Sequence, residues 1–179
     1  RVFPRGTRLG AYALTAALLA GCAGNDTVPD ELAEAELYQQ AMTALEAQNY
    51  TNAVSRLEAL DARYPFGDHA EQAQLELIYA YYQTDNWESA RAAASRFIRL
   101  QPDHPQVDYA YYMRGLAAYQ AGRFSLEGLK LIDISKRDLG ATRESYNDFR
   151  ELIERFPDSE YAPDAQQRLV YLRNVLARH

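Results

Sequence analysis

The sequence is poor in the residues that build covalent and metal sites. It has one cysteine, Cys22, which cannot form a disulfide within the chain and excludes a site made of several thiolates. It has three histidines, His69, His104 and His179, and no two of them stand at metal-ligand spacing. We therefore expect turn or capping roles for the histidines, no metal site and no cofactor.

Motifs for nucleotide binding and hydrolysis are also absent. The sequence contains no glycine-rich phosphate loop, no G-x-S-x-G, no HExxH and no CxxC. Its carboxylates, such as Glu31, Glu34, Glu151 and Glu154, recur at helical spacings that are typical of solvated faces. Nothing in that pattern specifically supports paired acid–base catalysis. We predict that the protein is not an enzyme.

Positive charge is in deficit. The formal net charge is -6, with 19 basic and 25 acidic residues. Because three arginines lie in residues 1–8, the rest of the chain has 16 basic residues and a net charge of -9. Binding to phosphate groups needs clustered Lys and Arg, so we expect no nucleic-acid partner. A hydrophobic content of 47% is enough for one folded domain.

The amino terminus has the layout of an export signal. A basic stretch, residues 1–8, precedes an apolar run of about twelve residues that is too short to span a bilayer. Leu19-Ala20-Gly21-Cys22 follows and resembles a bacterial lipobox. We predict a signal peptide at 1–21, a lipidated Cys22, and a short tether over residues 22–30. The alternative is an accidental small-residue motif in an uncleaved leader.

The remainder repeats with a period of 37 residues. Prolines end helical runs at Pro65 and Pro102, and this spacing of 37 recurs in three further series. These series are Tyr50 and Trp87, Ala53 and Ala90, and Ala41, Ile78 and Gly115. Each unit reads as a helix, a short polar break, a second helix and a proline.

This order resembles the tetratricopeptide repeat, in which small residues let two antiparallel helices approach each other. We predict an all-α superhelix of about three and a half repeats. The units are repeat 1 at 31–66, repeat 2 at 67–103, repeat 3 at 104–157 and the first helix of repeat 4 at 158–179. Repeat 3 contains an insertion near 122–140, predicted as a loop or short helix.

Local signals mark where several helices begin. Asp68 and Glu71 have capping-box spacing, and Pro105 suits a first helical turn. The last helix has an apolar face and no partner helix follows it in the sequence. Either another protein covers this helix or it folds back as a cap on repeat 3.

Tyrosine is abundant where other aromatic residues are few. In tetratricopeptide repeats the first helix of each unit lines the concave face, and the register predicts a groove there. Its tyrosines are Tyr38, Tyr79, Tyr82, Tyr109, Tyr112 and Tyr119. The same register adds Ala35, Met42, Leu45, Gln72, Leu75 and Leu116. We assign Tyr50, Tyr81, Trp87 and Tyr111 to packing. The alternative is that the groove rings also pack mainly on one another.

Several blocks carry a more specific resemblance. They include Tyr64-Pro-Phe-Gly67, Leu75-Glu-Leu-Ile-Tyr-Ala-Tyr-Tyr82, Arg96-Phe-Ile-Arg-Leu100, Tyr112-Met-Arg-Gly-Leu116, Asp133–Asp138 and Arg168-Leu-Val-Tyr-Leu172. With the lipobox, they resemble the BamD (YfiO-type) family of outer-membrane assembly lipoproteins. The five repeats of that family imply that this sequence is truncated at its carboxy terminus.

The resemblance implies a lipid-anchored scaffold on the periplasmic face of the outer membrane. It would belong to the BAM complex, bind unfolded β-barrel substrates and contact the BamA insertase and accessory lipoproteins such as BamC and BamE. An extended substrate strand would then lie in the tyrosine groove. The alternative is a periplasmic repeat lipoprotein that tethers cell-wall or cell-division enzymes, although it gives no reason for the Tyr64-Pro-Phe-Gly67 block.

Overall fold

The structure is a computed structural model that describes residues 32–127 and 139–178, with side chains of 124–127 omitted. This part of the chain forms seven α-helices and no strand. They are α1 (Glu34–Glu46), α2 (Tyr50–Arg63), α3 (Ala70–Gln83), α4 (Trp87–Leu100), α5 (Val107–Glu127), α6 (Gly140–Arg155) and α7 (Ala162–Leu176). The predicted all-α fold of antiparallel helix pairs is confirmed. The predicted signal peptide, Cys22, the tether, residues 128–138 and His179 lie outside the described residues.

The first two helix pairs turn through the same backbone conformation. Gln48 and Asp85, which are 37 residues apart, have φ values of 56° and 57°. The asparagine that follows each of them caps the next helix: Asn49 accepts from the Asn52 amide, and Asn86 accepts from the Ser89 amide. The polar breaks read from the sequence are thus two copies of one turn.

The joints between helix pairs are also alike. Tyr64, Gln101 and Phe156 end α2, α4 and α6 with φ values of -129°, -130° and -131°. Each donates its amide to the carbonyl four residues earlier, and a proline follows each of them. The proline stops the helix because it has no N–H and disfavours helical geometry in the preceding residue.

The helices form two layers. Consecutive helices pack on each other, and α3 also contacts α5. We call α1, α3, α5 and α7 the first-helix layer, and α2, α4 and α6 the second-helix layer. In the second layer, Arg96 of α4 pairs with Asp61 of α2, and Arg91 pairs with Glu144 of α6. The stacking of like helices follows from the 37-residue register.

Apolar side chains fill the space between the layers in two clusters. One cluster joins α1, α2 and α3, and the other extends from α3 to α7. Leu75 and Leu116, which the register places in the groove, are 2% and 8% exposed and belong to the second cluster. These two leucines therefore hold the layers together and do not line an open surface.

Gly115 marks a close approach between α5 and α6. A Cβ atom on Gly115 would lie 2.8 Å from the ring of Phe149, which is shorter than ordinary contact distances. The hydroxyl of buried Ser145 donates to the Gly115 carbonyl at 3.0 Å. Glycine at this position lets a large aromatic ring fill the centre of the third helix pair.

Helices α1, α3 and α5 each carry a carboxylate near their first turn. This carboxylate contacts the turn that leads into the next helix of the first-helix layer. Glu34, Glu71 and Asp108 are spaced by 37 residues. Glu34 accepts from the His69 amide at 2.6 Å, Glu71 lies 3.6 Å from His104 Nε2, and Asp108 accepts from the Ser159 hydroxyl at 2.6 Å. We call these three contacts the inter-repeat clasps. They link neighbouring helix pairs through polar groups at the joints.

Three local expectations need correction. The capping box predicted from Asp68 and Glu71 is wrong, because His69 is the N-cap of α3 and makes no side-chain cap bond. Glu34 supplies the carboxylate at this helix start instead. In addition, residues 122–127, the start of the insertion predicted as a loop or short helix, form the end of α5. Pro105 lies in the turn before α5 and not in its first helical turn.

Over residues 32–127 and 139–178, every helix is too short or too polar to cross a bilayer.

Candidate functional site

The six tyrosines predicted to line a groove all lie on the first-helix layer. Tyr38 is on α1, Tyr79 and Tyr82 are on α3, and Tyr109, Tyr112 and Tyr119 are on α5. All six side chains are half-buried. Five of them pack against the cluster that extends from α3 to α7, and Tyr38 packs against the cluster at α1. We call these six residues the tyrosine groove.

At the α1 end, the ring of Tyr38 lies on the His69 imidazole, with ring centroids 4.5 Å apart. His69 in turn holds Glu34 through its amide and lies 3.2 Å from that carboxylate through Nδ1. The histidine therefore has the turn role expected from the sequence. It also supports the first tyrosine of the groove.

In the middle of the groove, neighbouring helices share tyrosine contacts. Tyr79 meets the ring of Tyr50 edge to face at 5.9 Å, so Tyr50 packs on the groove itself. The hydroxyl of Tyr82 accepts a hydrogen bond of 3.0 Å from the Gln120 amide group of α5. The Tyr82 hydroxyl thus forms part of the contact between α3 and α5.

Helix α7 covers the far end of the groove. The ring of Tyr112 stacks on Tyr161 at 4.8 Å, and its hydroxyl donates to Asp164 at 2.8 Å. Burial and this carboxylate raise the pKa of Tyr112 to about 12. Arg168 lies 4.8 Å above the ring of Tyr119. Tyr112 and Tyr119 are therefore less open than the register implied.

Sequence reasoning did not include these α7 residues in the groove. A detectable signal was present, because Tyr161, Asp164, Arg168 and Tyr171 are separated by three or four residues and form one helical stripe. Tyr171 completes the stripe with an edge contact of 6.0 Å to Tyr119. The apolar face identified in the sequence, represented by buried Leu172, is adjacent to this stripe.

A single carboxylate, Glu76, gives the α3 part of the groove its charge. It is half-buried and accepts a 2.7 Å hydrogen bond from the Gln72 side chain. Burial and the charge of Glu76 raise the pKa of both Tyr38 and Tyr109 above that of a free tyrosine. For Tyr79, a hydrogen bond with Tyr50 and burial raise the pKa, and Glu76 adds to them.

Of the aromatic residues assigned to packing, Tyr111 and Tyr81 make contacts with residues outside the groove. Tyr111 is 5% exposed and packs on Phe156, with ring centroids 5.4 Å apart. Tyr81 is half-buried and donates its hydroxyl to Glu58 at 2.6 Å. Burial first, and then this hydrogen bond, raises the pKa of Tyr81. Trp87 begins α4 and is half-buried.

The side chains of the groove are of kinds that make non-covalent contacts. The described residues contain no group of three or more side chains that could hold a metal ion. The groove presents aromatic area and tyrosine hydroxyls, with the carboxylates of Glu76 on α3 and Asp164 on α7. Tyrosine combines a rigid apolar ring with a hydroxyl that can bond a peptide backbone, which suits it to binding surfaces.

Comparison of the sequence with known proteins shows which family it belongs to. The YfiO family, described as outer membrane lipoprotein, matches residues 30–179. The chain is 42% identical over 166 residues to the outer membrane protein assembly factor BamD of Vibrio cholerae, covering 93% of this chain and 69% of the relative. It is 43% identical over 165 residues to BamD of Neisseria gonorrhoeae, covering 92% and 62%.

A more distant relative agrees. BamD of Xylella fastidiosa strain 9a5c is 35% identical over 167 residues, covering 92% of this chain and 57% of the relative. The chain thus spans about three fifths of the length of these relatives. Since the match extends from the tether through α7, it includes every described helix. The chain belongs to the YfiO family of outer membrane lipoproteins.

Proposed function

We propose that this protein is a scaffold subunit of the machinery that assembles β-barrel proteins in the outer membrane. Its relatives are named outer membrane protein assembly factors, and its family is one of outer membrane lipoproteins. In this proposal Cys22 carries the lipid that holds the chain at the periplasmic face of the outer membrane. Anchoring by several acyl chains is stable, whereas one chain alone binds only weakly.

The groove is proposed to bind unfolded barrel segments before they are inserted. The observation that carries this proposal is the row of half-buried tyrosines on one layer, which runs from Tyr38 on α1 to Tyr119 on α5. An extended segment lying along this row would bury apolar side chains against the rings and offer its backbone to the hydroxyls. Such contacts suit varied sequences, because they depend on the aromatic area and the backbone.

The proposed partners are a BamA-type insertase and accessory lipoproteins. The chain would act by bringing a bound segment to the insertase, with no chemical change in either. The exposed ring of Phe66, 98% accessible at the joint between α2 and α3, is an apolar group available for a protein contact.

Site-specific photo-crosslinking tests the groove. A benzophenone amino acid replaces Tyr79 or Tyr109, and a synthetic peptide from the last strand of an outer-membrane barrel is added. Arg99, exposed on α4 in the second-helix layer, is the matched control position. We expect crosslinks from positions 79 and 109 and none from position 99. Crosslinking from position 99 alone would contradict the proposal.

A further inference from the structure

Glu76 differs from four other carboxylates of the first-helix layer in its partners, and it is half-buried, whereas Glu36 of α1, which also accepts from a glutamine amide, is exposed. Within the described residues, its one hydrogen-bond partner is the neutral amide of Gln72, and it forms no ion pair. Four other carboxylates of this layer contact a histidine, a serine or an arginine. They are Glu34, Glu71, Asp108 and Asp164. Among the described residues, Glu76 therefore has no positively charged partner.

The position of this charge is set by the helix. Glu76 lies four residues after Gln72 and three before Tyr79, so all three share one face of α3. Helices α1 and α5 flank α3 and contribute Tyr38 and Tyr109, on whose hydroxyls the Glu76 charge acts. The carboxylate thus lies on the same face of α3 as Tyr79, in the layer whose neighbouring helices carry Tyr38 and Tyr109.

A carboxylate beside aromatic rings favours a positively charged side chain of a bound segment over a neutral or negative one. A neutral apolar side chain seated here would remove water from the charge without replacing its hydrogen bonds, which is unfavourable. An anionic group would be repelled. An ammonium or guanidinium group gains the ion pair, and tyrosine faces attract it further through their quadrupoles.

We propose that Glu76, with Tyr38, Tyr79 and Tyr109, forms a subsite for a lysine or arginine side chain of the bound segment. This inference rests on the proposed function of the groove and deepens it. Client segments that place one basic residue among their apolar residues are then preferred over neutral or acidic ones. The aromatic rows give affinity for many segments, and Glu76 gives a charge preference at one position.

Peptide binding measured by fluorescence anisotropy tests the subsite. Three peptides share one extended sequence of alternating valine and threonine with a carboxy-terminal phenylalanine and a blocked amino terminus. They differ at a central position, which is lysine, norleucine or glutamate. We expect the wild-type chain to bind the lysine peptide about tenfold more tightly than the norleucine peptide, and the glutamate peptide most weakly.

Substitution of the carboxylate separates charge from packing. Glu76→Gln should reduce the lysine preference to less than about twofold while leaving norleucine binding within about twofold of wild type. The matched control Glu88→Gln removes an exposed carboxylate from α4 and should retain the preference. Circular dichroism of each variant confirms that it is folded.

The possible failures are distinct. If lysine and norleucine peptides bind the wild-type chain equally, or if Glu76→Gln retains the preference, the subsite is overturned and the groove proposal stands. If none of the three peptides binds, the proposed groove function is overturned and the subsite with it. If Glu88→Gln loses the preference as fully as Glu76→Gln, the preference reflects net charge and the subsite is again overturned.

Discussion

The Glu34 carboxylate on α1 accepts a hydrogen bond of 2.6 Å from the backbone amide of His69, which begins α3. It thereby satisfies a helix amide that no side chain of its own turn caps. We expect Glu34→Gln to lower the thermal unfolding midpoint at neutral pH, as followed by circular dichroism. Glu36→Gln, an exposed change on the same turn of α1, should leave the midpoint unchanged.

The Glu34 clasp should also depend on pH. Hydrogen bonding from the His69 amide is the main cause that lowers the pKa of Glu34 in the folded chain. A carboxyl group with a lowered folded pKa stabilises the fold above its unfolded pKa, about 4.3, and loses this contribution as the pH falls through the folded value. The midpoints of wild type and Glu34→Gln should therefore converge as the pH falls below about 4.3, the pKa of an unfolded glutamate. A difference between the two midpoints that does not change with pH would contradict this explanation.

The close approach at Gly115 predicts intolerance of a methyl group. Gly115→Ala would place a Cβ against the ring of Phe149. Gly122→Ala is the matched control on α5, because its Cβ would meet the Thr142 hydroxyl at 3.3 Å. Both changes gain helix propensity, so urea unfolding should show Gly115→Ala less stable than Gly122→Ala by about 1–3 kcal/mol. Adding Phe149→Leu should recover part of the loss, and the absence of any recovery would argue against a steric cause.

The pair of Asp61 and Arg96 links α2 to α4. Two hydrogen bonds of 2.6 and 2.8 Å join them, and Gln74 donates a third to Asp61 at 2.9 Å. The Arg96 side chain is 43% exposed, so solvent screens the pair. A double-mutant cycle with Asp61→Asn and Arg96→Gln should give a coupling energy of about 1 kcal/mol at low salt, smaller at high salt. Coupling that does not respond to salt would mean that packing dominates.

The contribution of the Asp61–Arg96 pair to stability should also depend on pH in the acid range. Burial alone would raise the pKa of Asp61, but hydrogen bonds from Arg96 and Gln74 together lower it. The contribution of Asp61 to stability is therefore complete above the unfolded aspartate pKa of about 3.9 and is lost as the pH falls through the folded pKa. The coupling energy should decrease in that range when the cycle is repeated at pH values from 5 to about 2.

The hydroxyl of Tyr112 connects α5 to α7. We expect Tyr112→Phe to cost about 1 kcal/mol and to speed hydrogen exchange in α7, because the bond to Asp164 is lost. Tyr171→Phe, which removes a hydroxyl from a 47% exposed ring of α7, is the control and should have little effect. Equal effects of the two changes would contradict the role of this hydrogen bond.

Alkaline titration provides a second test of Tyr112. Its pKa is raised to about 12 by burial and by Asp164, so the neutral phenol is favoured in the fold. The stabilisation is complete below the ordinary tyrosine pKa of about 10 and is lost as the pH rises through the raised value. The ultraviolet absorbance of tyrosinate should show one titrating group fewer near pH 12 in Tyr112→Phe.

The repeat architecture was largely accessible from the sequence, because its determinants are local. Prolines such as Pro65 fix the end of a helix within one turn, and the break at Asp85 and Asn86 combines a left-handed residue with a side-chain cap. These signals recur at a constant period, so each repeat strengthens the assignment of the others.

Contacts between distant residues were not accessible in the same way. The cap supplied by Glu34 comes from 35 residues away and has no local signature. The continuation of α5 through Gly122 depends on packing against α6, which outweighs a helix-propensity cost of about 1 kcal/mol. Likewise, the coverage of Tyr112 by Tyr161 depends on how α7 is rotated against α5. Periodicity predicts which face a residue occupies but not which side chain covers it.

The common backbone geometry of the joints at Tyr64 and Gln101 makes the array modular. A second copy of residues 66–102 inserted after Pro102 would begin and end at the same kind of joint and would carry its own turn and clasp carboxylate. The lengthened chain would gain one helix pair without a new type of interface. Its groove would gain another Tyr79 and Tyr82, together with a second copy of Glu76. Groove length is therefore adjustable in whole repeats.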